Sequence, residues 1–202
     1  EAVDLEEFRL VSQARRGDVQ AFEGLYRRFV PRVFGLCRRM LGDPALAEEL
    51  TRQYDFQLES PTRFSQDNTI ELQLPFIKYF FPKTRIVPMG LPPREASIEI
   101  GKAAAEMSSA MGMHAGVIGS TDLTHYGFNY GYIPEGTGAS AVNWVRNEND
   151  RRVIDAMLAM DPEKVIAEAR ANQNACCSGA AATAIETAKY LGANHAEQLA
   201  YA

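Results

Sequence analysis

Cysteine is scarce in this chain: three among 202 residues, two of them adjacent. Three cysteines make no disulfide framework and sequence neighbours pair poorly with each other, so the reading expects a reducing, cytoplasmic setting. No apolar run approaches the roughly 20 residues that a membrane span needs, and no membrane partner is expected. The N-terminal stretch is acidic and amphipathic, without a basic start followed by an apolar core, so a secretory signal is not expected. Repeats, low-complexity tracts and a phosphate-cradling glycine loop are all missing. Basic charge is short as well: the formal net charge of −5 gives no global reason to expect nucleic acid. What is present, 46% hydrophobic and 23% charged residues with Gly and Pro scattered, is the composition of a soluble globular protein. The length suits one ordinary domain or two small ones.

Charge is unevenly spread. Residues 1–53 hold nine Lys/Arg and nine Asp/Glu, whereas residues 54–202 hold twelve against seventeen, and every lysine falls after position 77. That shift divides the chain into a piece over 1–53 and another over 54–202. In the first, Leu5, Phe8, Val11 and Ala14 mark one face of a helix capped by Asp4 and ended by Gly17. A second helix follows Asp18 through Ala21, Phe22, Leu25, Tyr26 and Phe29, and a third runs from Pro31 to Leu41. Asp43-Pro44 is a strong start for a fourth, an N-cap followed by proline at the first helical position.

The second piece reads as α/β. Helices are expected over 68–81 despite Pro75, over Glu95 to Met111, over Ala139 to Met160 as one long helix or a bent pair, from Asp161-Pro162, and over Cys176 to Leu191. Short strands are expected over 85–91 and 115–121, the latter a small apolar run of the kind buried in parallel sheets. Two strands alone leave edges and faces open, so something else in the chain, or a second copy in a homodimer, is expected to cover them. Asp122 and His125 come directly after the strand, at the carboxyl end where α/β sheets collect ligands. An acid three residues before a histidine can orient the ring and fix its tautomer for proton transfer or metal binding. The competing reading is a capped turn with a satisfied histidine. His114 reads as a core or edge histidine, and His195 as solvent-exposed.

Two family resemblances emerge. Gly17-Asp18, Ala21-Phe22-Glu23, Leu25-Tyr26-Arg27-Arg28, Pro31-Arg32-Val33, Leu41-Gly42-Asp43 and Ala47-Glu48-Glu49-Leu50-Thr51 resemble the start of region 2 of extracytoplasmic-function sigma factors. The resemblance implies a small all-α segment over residues 4–53 that binds core RNA polymerase. The aromatic and basic helix that would read promoter DNA does not follow Gln53, so direct DNA binding is not expected. Arg27, Arg28, Arg38 and Arg39 read as a solvated helix face.

Asp67 to Phe76, Ser120 to Gly127, Trp144 ahead of Asn149-Asp150, Asn174 to Ala181 and Ala188 to Ala193 together resemble the MEMO-like proteins, called AmmeMemoRadiSam system protein B in bacteria and archaea. The match spans residues 54–202, with the family's N-terminal part and its two histidines replaced by the sigma-like segment in an apparent chimera. It implies a partial α/β sheet with flanking helices, similar to class III extradiol ring-cleaving dioxygenases. It also implies a site of histidines and one cysteine that can hold iron. The family's Asp-x-x-His falls on Asp122 and His125. Its Cys-Gly-x-Gly falls on Cys176, with Cys177 standing where glycine is usual; a slip of one would make Cys177 the family cysteine. The candidate catalytic residues are therefore Asp122, His125 and Cys176, with His125 and Cys176 as metal ligands. Cys176 with His125 as base also reads as a nucleophile, and the whole constellation also reads as packing at a helix start. Three functions stay open: a MEMO-like protein with a remnant metal- or thiol-based site, an RNA polymerase-binding adaptor in transcription initiation, and a recombined chain without inherited activity.

Overall fold

The computed structural model describes Arg9, Leu10, Gln13, Gln20, Ala21, residues 44–57 and residues 68–201. The helices expected between residues 4 and 42, with Arg27, Arg28, Arg38 and Arg39, lie outside the described residues except at those five helical positions. The chain groups into two compact units, Glu1–Asp43 with Gln57–Val87, and Pro44–Phe56 with Pro88–Ala202. Helix α1 (Pro44–Gln53) opens on the expected proline, whose missing N–H costs nothing at a first helical position.

In the first unit, α2 (Asn68–Glu71) and α3 (Leu74–Phe80) replace the single helix expected over 68–81. Pro75 sits in the first turn of α3. It has no amide to donate and its ring crowds the preceding turn, so it starts a helix instead of continuing one.

The second unit is a helical packing. Its elements are α1, α4 (Glu95–Ala110), α5 (Ala139–Trp144), α6 (Asp150–Leu158), α7 (Pro162–Asn172) and α8 (Ser178–Tyr190). α5 runs into α6 through a wide π turn over Val145–Asn149, which makes the expected bent pair. Asp161 caps α7, its carboxylate accepting the Lys164 N–H at 2.9 Å, with Pro162 in the first turn. Val153, Ala156, Val165, Ala169, Ala175 and Ala181 form the core between α6, α7 and α8, with Leu123, Met157 and Ile185 packed on it. Across α8, small residues bring α4 close. The hydroxyls of Thr183 and Thr187 donate to the carbonyls of Ser97 and Gly101 at 2.7 and 2.9 Å. From α1, Leu50 is buried, and the Tyr54 hydroxyl just beyond that helix reaches the Glu99 carbonyl at 3.5 Å.

Among the described residues no strand ladder forms. Residues 85–91 hold one bridge position, at Ile86, and residues 115–121 hold none. A strand exists only through a neighbour that accepts its ladder bonds, and the run over 115–119 is exposed, Ile118 at 61%. On one side Gly119 rests against α8, where an added Cβ would stand 2.8 Å from the Ala180 carbonyl and the Ala184 methyl. His114, expected in the core or at an edge, is exposed, which removes the core alternative, and His195 is exposed as expected.

Candidate functional site

The residues singled out in sequence meet in space. One ligand atom each from Asp122, His125 and Cys176 lies within 4.8 Å of the others, although 54 positions separate Asp122 from Cys176 in the chain. Backbone bonds zip their two loops together. The Cys176 N–H donates to the Asp122 carbonyl at 3.1 Å, and the Cys177 N–H donates to the Thr121 hydroxyl at 3.0 Å. That hydroxyl also lies 3.9 Å from the Cys176 sulfur.

His125 is held from two sides. Its Nε2 lies 3.3 Å from the Asp122 carboxylate, and its ring lies against Tyr130 with centroids 4.8 Å apart. Tyr130 is brought there by a short 3-10 turn over Phe128–Tyr130. The turn is closed by an isolated bridge between Gly127 and Tyr132. Gly127 and Gly131 flank it at φ 129° and 64°, values that favour glycine. The site opens on a cleft of about 360 Å³, whose walls include Leu123, His125, Tyr130, Arg170, Gln173 and Cys176. That is the low end of small-molecule pocket sizes.

Behind the site stands a buried polar frame that gives the remaining motif residues a role. Asp150, 4% exposed, accepts from the Thr124 N–H at 3.1 Å and from the Thr124 hydroxyl at 2.5 Å. Its other oxygen accepts from the Tyr201 hydroxyl at 2.7 Å. Asn149 donates to the Thr124 hydroxyl and to the Asn172 carbonyl, both at 3.0 Å. Asn174 donates to the Asn149 carbonyl at 2.9 Å. Together these bonds tie the loop carrying His125 to the loop carrying Cys176 through the π turn. Burial, the hydrogen bond to Asp150 and the charge of that carboxylate push the Tyr201 phenol up from 10.0 to about 12, against a smaller pull from Arg146 and Arg151. Asn149-Asp150 and Asn174 were visible as motif letters, but not their role as struts. Thr121 was likewise visible only as a letter of the Ser120 to Gly127 motif, and Tyr201 carried no signal at all.

The chain is similar to known proteins over most of its length. The family profile described as Memo-like protein matches residues 39–202. Residues 41–51, part of the stretch that resembles a sigma factor, fall inside that match. A MEMO1 family protein of Pyrococcus furiosus is 35% identical over 170 residues, covering 81% of this chain and 58% of its own length. One from Thermococcus onnurineus is 36% identical, over 67% of this chain and 49% of its own. One from Methanothermobacter thermautotrophicus is 33% identical, over 79% and 54%. The chain thus spans about half the length of the curated relatives it matches. No solved structure matches it significantly. No described helix is long and apolar enough to cross a membrane. With a profile match of this extent and relatives at these identities, the chain belongs to the Memo-like family.

Proposed function

We propose that Asp122, His125 and Cys176 form a metal site of the iron type at the mouth of the cleft, on a MEMO-like α/β frame. The observation that carries this is their convergence within 4.8 Å. The donor set fits such an ion. Bonds of about 2.0–2.3 Å to N, O and S donors place neighbouring donors roughly 3.5 Å apart. The His125 and Asp122 atoms, 3.3 Å apart, already have that spacing. Asp122 is 71% and His125 41% exposed at the side chain, so rotation can close the rest. A thiolate, an imidazole and a carboxylate suit a first-row transition metal. Bound there, iron would supply a Lewis-acidic, redox-active centre with open positions towards the cleft.

The chain's own residues do the positioning. Asp122 holds the His125 ring, Tyr130 covers one face of it, and Thr121 fixes the cysteine dipeptide. The run over 115–121, exposed through 119, is the segment that would join a sheet in this reading; its apolar composition supports that. A second reading rests on the same distances: Cys176 as nucleophile, with His125 as base and Asp122 as orienter.

Metal content per chain after anaerobic purification tests the proposal. Near-stoichiometric iron is expected in the parent and its loss in Cys176→Ala and His125→Ala. Unchanged content in both variants would sink the assignment. A chelator separates the two readings, since the nucleophile would survive it.

A further inference from the structure

One buried hydroxyl on the cleft has nothing to bond. Ser178 is 1% exposed, and its Oγ has no hydrogen-bond partner. The other unpaired buried side-chain atoms among the described residues are the amide oxygens of Asn149 and Asn174, so Ser178 is the one unpaired donor. Leaving a buried hydroxyl unpaired costs free energy, and folded proteins leave few of them. Ser178 stands on the wall of the cleft that His125 and Cys176 also line.

Two further features of that wall point the same way. Ser178 is the first residue of α8, a helix of 13 residues. The Ala180 and Ala181 N–H groups turn back to the Cys177 carbonyl at 3.0 and 3.3 Å, while the amides of Ser178 and Gly179 donate to no described residue. Such a helix start carries partial positive charge. Arg170, exposed in the last turn of α7, lines the same cleft and pairs with no described carboxylate. No Asp or Glu is on the wall, and Pro93, Leu123, Ala169 and Ala175 give it an apolar surface.

We infer that Ser178, at the start of α8, and Arg170 form an anion subsite that anchors a small monocarboxylate with an apolar body in the cleft. This deepens the reading of the cleft as the functional site, on which it rests, by naming the class of ligand it takes. The carboxylate accepts from the Ser178 hydroxyl and from the guanidinium, whose planar fork matches its two oxygens. The hydroxyl hydrogen rotates about its own bond, so it can turn to an incoming acceptor without any shift of the helix. Charge selects a carboxylate over a phosphate. One guanidinium balances one negative charge, whereas a dianion would add an uncompensated charge near Asp122, which stands beside His125.

An NMR titration of the full-length chain, freed of metal with a chelator, tests this with isovalerate as the probe and isovaleramide as its neutral counterpart. The Ser178 and Gly179 amide signals are expected to shift downfield and saturate with the acid, and to stay in place with the amide. Ser178→Ala and Arg170→Met are each expected to weaken isovalerate binding at least about tenfold, the scale of one hydrogen bond to a charged group. Ser178→Ala should also raise the urea midpoint of the ligand-free chain, because it removes an unpaired buried hydroxyl; that gain separates lost binding from lost fold. Arg146→Met, at an exposed arginine absent from this wall, controls for the lost charge and should bind the acid as the parent does. No saturating shift in the parent, equal affinity in the parent and both cleft variants, or as large a loss in Arg146→Met would overturn the subsite. Equal affinity for acid and amide, or tighter binding of inorganic phosphate, would overturn the ligand class. Iron content of the untreated chain is read separately. Iron without selective acid binding would leave the Asp122–His125–Cys176 site standing and remove the subsite, and acid binding without iron would do the reverse.

Discussion

At the scale of single residues, the positions that touch the cleft depend on ones that do not. Asp150 receives three hydrogen bonds while almost fully buried, so removing its carboxylate leaves several donors without an acceptor. Each orphaned buried group costs about 1–3 kcal/mol. Asp150→Ala is expected to lower unfolding free energy by about 3 kcal/mol, and Asp150→Asn, which keeps one oxygen, by about half as much; urea denaturation reads both. Thr121 works closer to the candidate site. Thr121→Val removes the acceptor of the Cys177 N–H and the hydroxyl beside the Cys176 sulfur. Supporting contacts of this kind are worth about 10–100-fold in metal affinity. A competition titration with a chromogenic chelator should show a loss in that range, while unchanged affinity would mean that the loop keeps its shape without the hydroxyl. Sequence singled out Asp122, His125 and Cys176 because their chemistry is unusual in type and spacing, and the fold brings the three together. Asn149, Asp150 and Asn174 were legible only as motif letters, because burial and pairing across the fold leave no trace in local pattern.

Among the elements, α8 sets how closely everything else approaches. A Cβ at Gly179 would overlap the carbonyl oxygens of Leu91 and Pro92, and one at Gly101 would stand 2.7 Å from the Thr183 carbonyl. Backbone on both sides cannot yield as a flexible side chain would. Gly101→Ala is expected to destabilise by about 1–3 kcal/mol from overpacking, despite a helix-propensity gain of up to about 1 kcal/mol. Gly179→Ala, in tighter contact, should cost more and also displace the cysteine dipeptide next to it. Gly90→Ala, where nothing lies within 4 Å, is the control and should change the melting temperature little. The sequence shows α4, the α5–α6 pair and α8 nearly to their ends, and α7 by its start at Asp161-Pro162, because apolar spacing and caps are local. It misjudged Pro75, where a helix start was taken as a tolerated interior proline. The run over 115–121 was read as a strand from its composition, yet a strand is settled by its neighbour and none of the described residues supplies one.

For the whole molecule, linkage between protonation and folding gives a test that every part of the second unit shares. Helix α1 and its extension to Phe56 group with Pro88–Ala202, and two phenols in that unit are raised above their ordinary value. Tyr201 rises to about 12, mostly through burial and its bond to Asp150. Tyr54 rises through burial first, then through the negative charges of Glu99 and Glu106. A raised phenol means that the folded state holds its proton more tightly than the unfolded chain does. Between pH 10 and 12 the folded state therefore binds more protons, and stability must fall as pH rises. The Tyr201 contribution is fully present below pH 10 and is gone once pH has passed through about 12. Tyr201 is 38% exposed, and solvent and salt keep its contribution small, so the parent is best compared with Tyr201→Phe. Their difference in urea midpoint should stay level up to pH 10 and then shrink towards zero or change sign by pH 12. A difference that stayed constant across that window would mean that the Tyr201–Asp150 bond does not hold in solution. Loss of that bond would leave Asp150 with the Thr124 donors alone, so the same titration checks whether Tyr201 braces the frame behind His125.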